Sequence, residues 1–312
     1  MIAFVIVTYN GIEWYDKCFG SILDSTLPTK IIVVDNASIE SDIKYLQDKY
    51  PDITLIQCSE NLGFAKANNL GIKYAMEQGA EYIFLLNQDA WIKKDTVEKL
   101  IAVFETNPDA GIVTSIHLNG SYSGLDVGFA EYLSPHNTPL FISDMFLGNL
   151  KPSYKTNFVN AAAWLISRKC IEKVGVFDTS LFTHYGEDDN YCQRAKFHRF
   201  EIYISTKTTI CHDRADRIGR RPEKFEKQNE KLDQKLYYAN PFLANEIIDK
   251  KTKSLEKNYF KNILKYSFLF DVKKLKYLKR KIREDSKLFT LIKKSREAYL
   301  TNGLMWLDDI QP

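Results

Sequence analysis

No run of uncharged apolar residues in this 312-residue chain approaches the roughly 18 to 20 that a bilayer span needs. The longest, Ala3 to Val7 and Tyr82 to Leu86, have the length of strands, which argues against a spanning protein. Met1-Ile2-Ala3-Phe4 enters the first of them with neither a basic n-region nor a small-residue cleavage site, so no secretory signal is expected and the expected location is cytoplasmic. Five cysteines (Cys18, Cys58, Cys170, Cys192, Cys211) are an odd number without C-x-x-C spacing. That excludes a disulfide framework and a zinc knuckle, and predicts reduced, mostly buried side chains. Glycine is also scarce where one large class of proteins needs it. The first apolar run ends in Thr8-Tyr9-Asn10-Gly11, with one glycine where the G-x-G-x-x-G turn of a dinucleotide-binding domain requires three. Internal repeats are absent.

What is present is ordinary for a globular protein, at 45% hydrophobic and 27% charged residues. The net charge of +3 hides an asymmetry: residues 241 to 312 hold 17 Lys and Arg against 9 Asp and Glu, a net of +8, leaving −5 for residues 1 to 240. A basic, aromatic tail calls for an anionic partner, and a membrane surface, another protein and nucleic acid are the classes to weigh.

Short β-branched runs at Ile2 to Thr8, Lys30 to Val34, Thr54 to Cys58 and Glu81 to Leu86 alternate with helical patterns near 13–25, 41–49 and 64–77. A βαβαβαβ series of this kind predicts a parallel sheet covered on both faces, with ligands beyond the carboxyl ends of its strands. A helix near 95–106 and a strand at Ala110 to Ile116 follow. The Gly-, Ser-, Pro- and Asn-rich stretch from 117 to 155 reads as irregular and as a substrate-facing loop. Phe158 to Ser167 reads as a buried strand, Arg168 to Val174 as a short helix closed by Gly175, and Asp189 to Arg199 as a longer helix. Strands at Ile202 to Ser205 and Thr209 to His212 complete the core. Composition shifts beyond Pro241, giving a catalytic domain over 1–240, split near 115, and a basic amphipathic helical extension over 241–312.

Chemistry gathers at the strand ends. Asp35, in Val34-Asp35-Asn36-Ala37-Ser38, can accept hydrogen bonds from a ribose or a base, or cap the next helix. Asn68 and Asn69 place two amides inside a helical pattern, where Asn is a mediocre residue, so a polar contact or a solvated face must account for them. Asp89 follows a strongly apolar strand, where an unpaired carboxylate is costly to desolvate. It suits a hard divalent cation, Mg2+ or Mn2+, shared with a diphosphate. Glu187-Asp188-Asp189 sets three carboxylates in a row behind Gly186. Mutual repulsion raises at least one pKa toward a value useful for proton abstraction, although a helix N-cap is the plainer role. His212 ends an apolar run, and a lone His is more often structural than a ligand. Asp213 to Arg221 is a basic loop that can fold over a diphosphate or stand as a solvated turn.

The ordered series Thr8-Tyr9-Asn10, Val34-Asp35-Asn36-Ala37-Ser38, Asn61-x-Gly63-Phe64-Ala65-x-Ala67-x-Asn69 and Asn87-Gln88-Asp89 resembles the inverting family 2 glycosyltransferases of GT-A fold, in particular their rhamnosyltransferase-like subset. The likeness covers residues 1 to about 215. It implies an α/β GT-A domain with a mainly parallel central sheet, and nucleotide-sugar contacts at Thr8, Tyr9, Asn10, Asp35, Asn61, Gly63, Asn68, Asn69, Asn87 and Gln88. It also implies a divalent metal at Asp89 and His212, Asp188 as catalytic base, and Glu187 on the acceptor. Asn87 departs from the family's D-x-D element and leaves Asp89 as its only carboxylate. The implied donor is UDP-, dTDP- or GDP-linked, and the implied acceptor is a glycan or lipid-linked saccharide of bacterial surface polysaccharide synthesis. For the extension over 241–312, packing on the preceding domain or homodimerisation is the plainer expectation and membrane contact the alternative, with no nucleic-acid partner. A nucleotidyltransferase, whose Gly- and Arg-rich loop after the first strand is missing, and a non-catalytic nucleotide-sugar-binding subunit are the alternatives.

Overall fold

The computed structural model describes residues 1–183, 185–214 and 224–301. In the first third, apolar strands alternate with helices that bury one stripe. β1 (Ile2–Thr8) and β2 (Thr29–Asp35) flank α1 (Ile12–Leu23), which buries Tyr15, Cys18, Phe19 and Ile22, the spacing of a single helix face. α2 (Glu40–Lys49), β3 (Thr54–Gln57), α3 (Gly63–Glu77) and β4 (Tyr82–Leu86) continue the series. α3 lies so close to the sheet that a Cβ at Gly71 would fall 2.3 Å from a Val5 methyl carbon. All four strands pair in parallel, as the alternation predicted.

The second half is mixed. β5 (Ala90–Ile92), too short for periodicity to reveal, precedes α4 (Thr96–Thr106) and β6 (Ala110–Asn119). The stretch expected to be irregular carries α5 (Val127–Tyr132), α6 (Phe141–Phe146) and β7 (Ser153–Thr156). β8 (Ala163–Ser167) and α7 (Arg168–Val174), closed by Gly175 at φ 86°, follow. α8 (Glu187–Phe197) begins two residues earlier than its pattern suggested. β9 (Glu201–His212) is one strand where two were expected: β6 pairs with it up to Ser205 and again from Thr209, with a register shift across 206–208, and β7 and then β5 lie on its other side. The order β3-β2-β1-β4-β8-β6-β9-β5, with β7 on β9, forms a nine-stranded sheet. β8 runs antiparallel to β4 and β6, and β5 and β7 run antiparallel to β9, whereas β6 and β9 pair in parallel, so the second half of the sheet is mixed.

All five cysteines are buried and unpaired, as expected. The helical extension starts ahead of residue 240, with α9 (Lys224–Ala239), and continues in α10 (Asn245–Phe268) and α11 (Val272–Tyr299). Ala239, Ile248, Phe289, Ile292 and Tyr299 share a core with Leu181 and Phe182, which precede α8. Polar contacts seal this seam: Tyr299 donates to Asp178 at 2.6 Å, and Arg194, fully buried, stacks on the Tyr299 ring at 5.0 Å. No described helix is long and apolar enough to cross a membrane.

Candidate active site

The sheet delivers its polar residues to one edge. Thr8 and Asp35 stand opposite each other at the carboxyl ends of β1 and β2. Thr8 Oγ1 donates to Asp35 Oδ1 at 3.1 Å, and the Ser38 amide donates to Asp35 Oδ2 at 3.0 Å. Both residues are fully buried, so they set the shape of a rim on which Tyr9 is exposed. Asn10, at φ 47°, is tied across it: its amide donates to Ser38 Oγ and its Oδ1 accepts from the Ile39 amide. Gln88 bonds both the amide and the carbonyl of Tyr9, at 2.9 and 3.2 Å. Gly11 allows this, since a Cβ there would sit 2.2 Å from Gln88 Oε1. Asn61 Oδ1 accepts from Asn36 and from the Gly63 amide. Gly63, at φ 78°, lies beside the Thr183 carbonyl and so opens α3 against the segment leading to α8. Asn68 donates to the Phe64 carbonyl one turn back.

Asn69 corrects the expectation of a donor contact. Its amide donates to the Phe177 carbonyl at 2.8 Å and accepts from the Phe177 amide at 2.9 Å, deep in the core. It staples α3 to the chain after α7, and this explains an otherwise poor helix residue.

Asp89 and His212 meet where β5 and β9 pair, with Ala90 opposite His212. His212 Nε2 lies 3.5 Å from Asp89 Oδ1 and 3.4 Å from the Asn87 amide nitrogen, and both His212 and Asp89 are 2% exposed. On its far side, Nδ1 is 3.4 Å from Asp126 Oδ2. Burial opposes the His212 charge, but hydrogen bonding to Asp126 and Asp89 outweighs it and raises the pKa. Asp126 caps α5 by accepting from the Phe129 amide and takes Arg214 on both oxygens, at 2.5 and 2.7 Å. Burial would raise its pKa, yet His212, Arg214 and the Phe129 amide hold it well below the usual carboxylate range. Two glycines clear the way for this grouping: a Cβ at Gly128 would meet Arg214 at 2.1 Å, and one at Gly120 would meet Asp213 at 2.4 Å. Among the described residues no cluster of three or more His, Cys, Asp or Glu has metal-site geometry. One carboxylate and one imidazole, oriented by a further carboxylate, fit a divalent cation whose remaining ligands are phosphate oxygens and water.

None of the three consecutive carboxylates caps α8. Gly186, left-handed at φ 85°, holds the cap position, and Glu187, Asp188 and Asp189 all fall in the first turn. Successive helical residues point about 100° apart, and their neighbours differ accordingly. Asp188 lies against the Ala161 backbone amide and within electrostatic reach of Tyr132, which also feels Arg214 and Asp126. Asp189 faces Asp233 of α9 and accepts from Gln193. Asp188 therefore lies on the side of Tyr132, Arg214 and Asp126, and Asp189 on the side of α9. Burial, then the Glu187 charge, pushes Asp188 up to about 6. Glu187 is 7% exposed, its pKa is raised by burial, and its Oε2 has no hydrogen-bond partner among the described residues. One backbone segment joins Asp188 to the end of β4: the Asn87 amide donates to the Ala162 carbonyl at 2.9 Å, next to the residue that meets Asp188.

Sequence reasoning missed Asp126, Tyr132 and His117. His117 stacks on Phe129 and faces the His212 ring edge at 6.3 Å. Burial drives its pKa well down. The Thr114 hydroxyl already donates to the Ala163 carbonyl, so His117 Nε2 donates to Thr114 and is the protonated nitrogen. The one available signal was Asp126 as an N-cap beside Gly128. Of the basic loop, only Asp213 and Arg214 lie within the described residues.

A model of glycosyl transferase family 2 matches residues 3–175. The chain belongs to that family. It is 26% identical over 197 residues to the dTDP-rhamnosyl transferase RfbF of Shigella flexneri, covering 60% of each chain. Against the low-salt glycan biosynthesis hexosyltransferase Agl10 of Haloferax volcanii it is 26% identical, covering 80% of this chain and 77% of that one. The fold is the GT-A fold. S. aureus TarS 1-349 in complex with UDP superposes with a TM-score of 0.55 at 14% identity, over 78% of this chain and 66% of that one. GalNAc-T7 with UDP, GalNAc and Mn2+ gives 0.55 at 15% identity, over 68% and 44%.

Proposed function

We propose that the chain transfers a sugar from a nucleotide-sugar to a hydroxyl of a glycan or lipid-linked saccharide, with inversion. The observation that carries this reading is the placement of Asp188: its acidity is weakened, it lies on the side of Tyr132, Arg214 and Asp126, and one backbone segment separates it from Asn87-Gln88-Asp89. In a single displacement its carboxylate takes the acceptor O–H proton as the oxygen bonds to the anomeric carbon. The bond from that carbon to the phosphate oxygen breaks, and its electron pair leaves with the nucleoside diphosphate. Glu187 orients the acceptor. Asp89 and His212 would hold a Mg2+ or Mn2+, with Asp126 orienting the imidazole, and such a cation would supply charge neutralisation to the leaving diphosphate. Tyr9, Asn10, Asp35, Asn61, Gly63 and Asn68 line the nucleotide side, and Thr8 and Gln88 shape it. The names of the relatives, a dTDP-rhamnosyl transferase and a glycan biosynthesis hexosyltransferase, support a hexose donor and a role in glycan synthesis.

Purified protein incubated with UDP-, dTDP- and GDP-sugars should release nucleoside diphosphate from one of them with Mn2+ present, and much less with chelator. Asp188→Asn should abolish transfer and keep nucleotide affinity. Release that persists at the wild-type rate in that variant would sink the assignment, and no release from any donor would favour a non-catalytic binding subunit.

A further inference from the structure

The α10–α11 hairpin has a packed base and a bare tip. Ile248, Phe289, Ile292 and Tyr299 seat its base against Leu181 and Phe182, whereas no residue from 256 to 277 is buried. The tip itself is apolar: Phe268 is 84% exposed, Leu269 57%, Phe270 88% and Val272 59%. Its turn is nevertheless fully ordered by hydrogen bonds. The Phe270 amide donates to the Ser267 carbonyl, the Asp271 amide to Tyr266, and the Asp271 side chain caps α11 at Lys274. This is the Schellman ending of a helix, and Phe270 stands at the left-handed position, φ 51°, where glycine is the usual residue. An aromatic side chain there strains the backbone and contacts little of its own protein, so its use must lie outside the fold. Charge names the partner. Residues 257 to 283 contain ten Lys and Arg and one acid, Asp271, and Lys265 and Lys274 flank the tip over the Tyr266 ring.

We infer that this tip is a membrane-docking element, which seats Phe268 and Phe270 in the interfacial layer of a bilayer rich in anionic lipid while the surrounding lysines meet the headgroups. The inference stands independently of the catalytic assignment. A second copy of the chain fits less well, because two such tips would bring like charges together.

The test is sedimentation of the full chain with phosphatidylcholine vesicles, with and without phosphatidylglycerol, at low and high salt. Binding is expected only to the anionic vesicles and should weaken with salt. Phe268→Ser with Phe270→Gly should lower it about tenfold or more. Phe270→Gly alone should weaken binding while leaving the melting temperature unchanged or higher, because glycine suits φ 51°; a merely structural role predicts the opposite. Unchanged binding in the double variant, or equal binding to neutral vesicles, overturns the proposal. So does light scattering that shows a wild-type dimer dissolved by the double variant, without vesicle binding.

Discussion

The two sides of the site differ in how their polar groups are satisfied. Around the ends of β1 and β2, Thr8, Asn10, Asp35, Asn36, Asn61 and Gln88 are bonded to one another and to nearby backbone. Around β8 and α8, Asn160 Oδ1, Trp164 Nε1, Glu187 Oε2, Asn190 Nδ2 and Gln193 Oε1 are buried without a hydrogen-bond partner among the described residues. Each such atom costs about 1–3 kcal/mol of desolvation. The first arrangement is a preorganised frame that costs nothing further when a ligand arrives, whereas the second stores unmet hydrogen-bonding capacity beside the carboxylates. Buried, underused polar groups of this kind are where chemistry is expected.

The contrast can be broken most sharply at Asp188. Asp188→Asn should lower turnover by about 10²–10⁴-fold with the donor KM nearly unchanged, whereas Asp189→Asn, facing α9, should stay within a few-fold; steady-state kinetics on both variants decides which carboxylate faces the reaction. Next in size is the orientation of His212. Asp126→Asn should weaken Mn2+ affinity by about 10–100-fold, measured by calorimetry with a nucleoside diphosphate present, and the same change at Asp144, an exposed-side partner of Lys151, should not.

A stability measurement isolates the cost around α8. The folded pKa of Asp188, about 6, lies above its ordinary unfolded value. Between the two the folded protein binds the proton more tightly, so this group's contribution to stability falls as pH rises and the full penalty stands above pH 6. Asp188→Asn should therefore stabilise the protein by about 1–2 kcal/mol at neutral pH and by almost nothing near pH 4, as thermal melts at both pH values would reveal. Equal gains at both would show that charge burial is not the cause. The smallest effect belongs to Asn87→Asp, which adds a carboxylate 3.4 Å from His212 Nε2. It should raise Mn2+ affinity a few-fold, and a fall would place residue 87 outside the cation's reach.

Much of the first half of the fold was legible in the sequence, and much of the second was not. β1 to β4 alternate with helices of ten or more residues, a repeating series in which periodicity acts, and it marked the strand ends where Thr8, Asp35 and Asp89 were singled out. β5, β7, α5 and α6 have three to six residues and no such series around them. Asp126 escaped for a different reason. Its meaning comes from Arg214, 88 positions away, and no local signal encodes such a partner. Asn69 shows the converse: a polar residue in an apolar helix was rightly singled out, but what it bonds is backbone brought close by tertiary folding. β9 read as two strands because Thr206 and Lys207 interrupt its apolar pattern, and the same residues lie where its pairing with β6 shifts register.

The contact of Asn87 with Ala162, next to the Ala161 that meets Asp188, sets a limit on how the enzyme can be re-engineered. The exposed residues 145–150 at the end of α6 stand outside this grouping and can be lengthened or exchanged. The stretch 159–162 has no such freedom, for a single inserted residue would put Asp188 out of step with the strand end that carries Asn87-Gln88-Asp89.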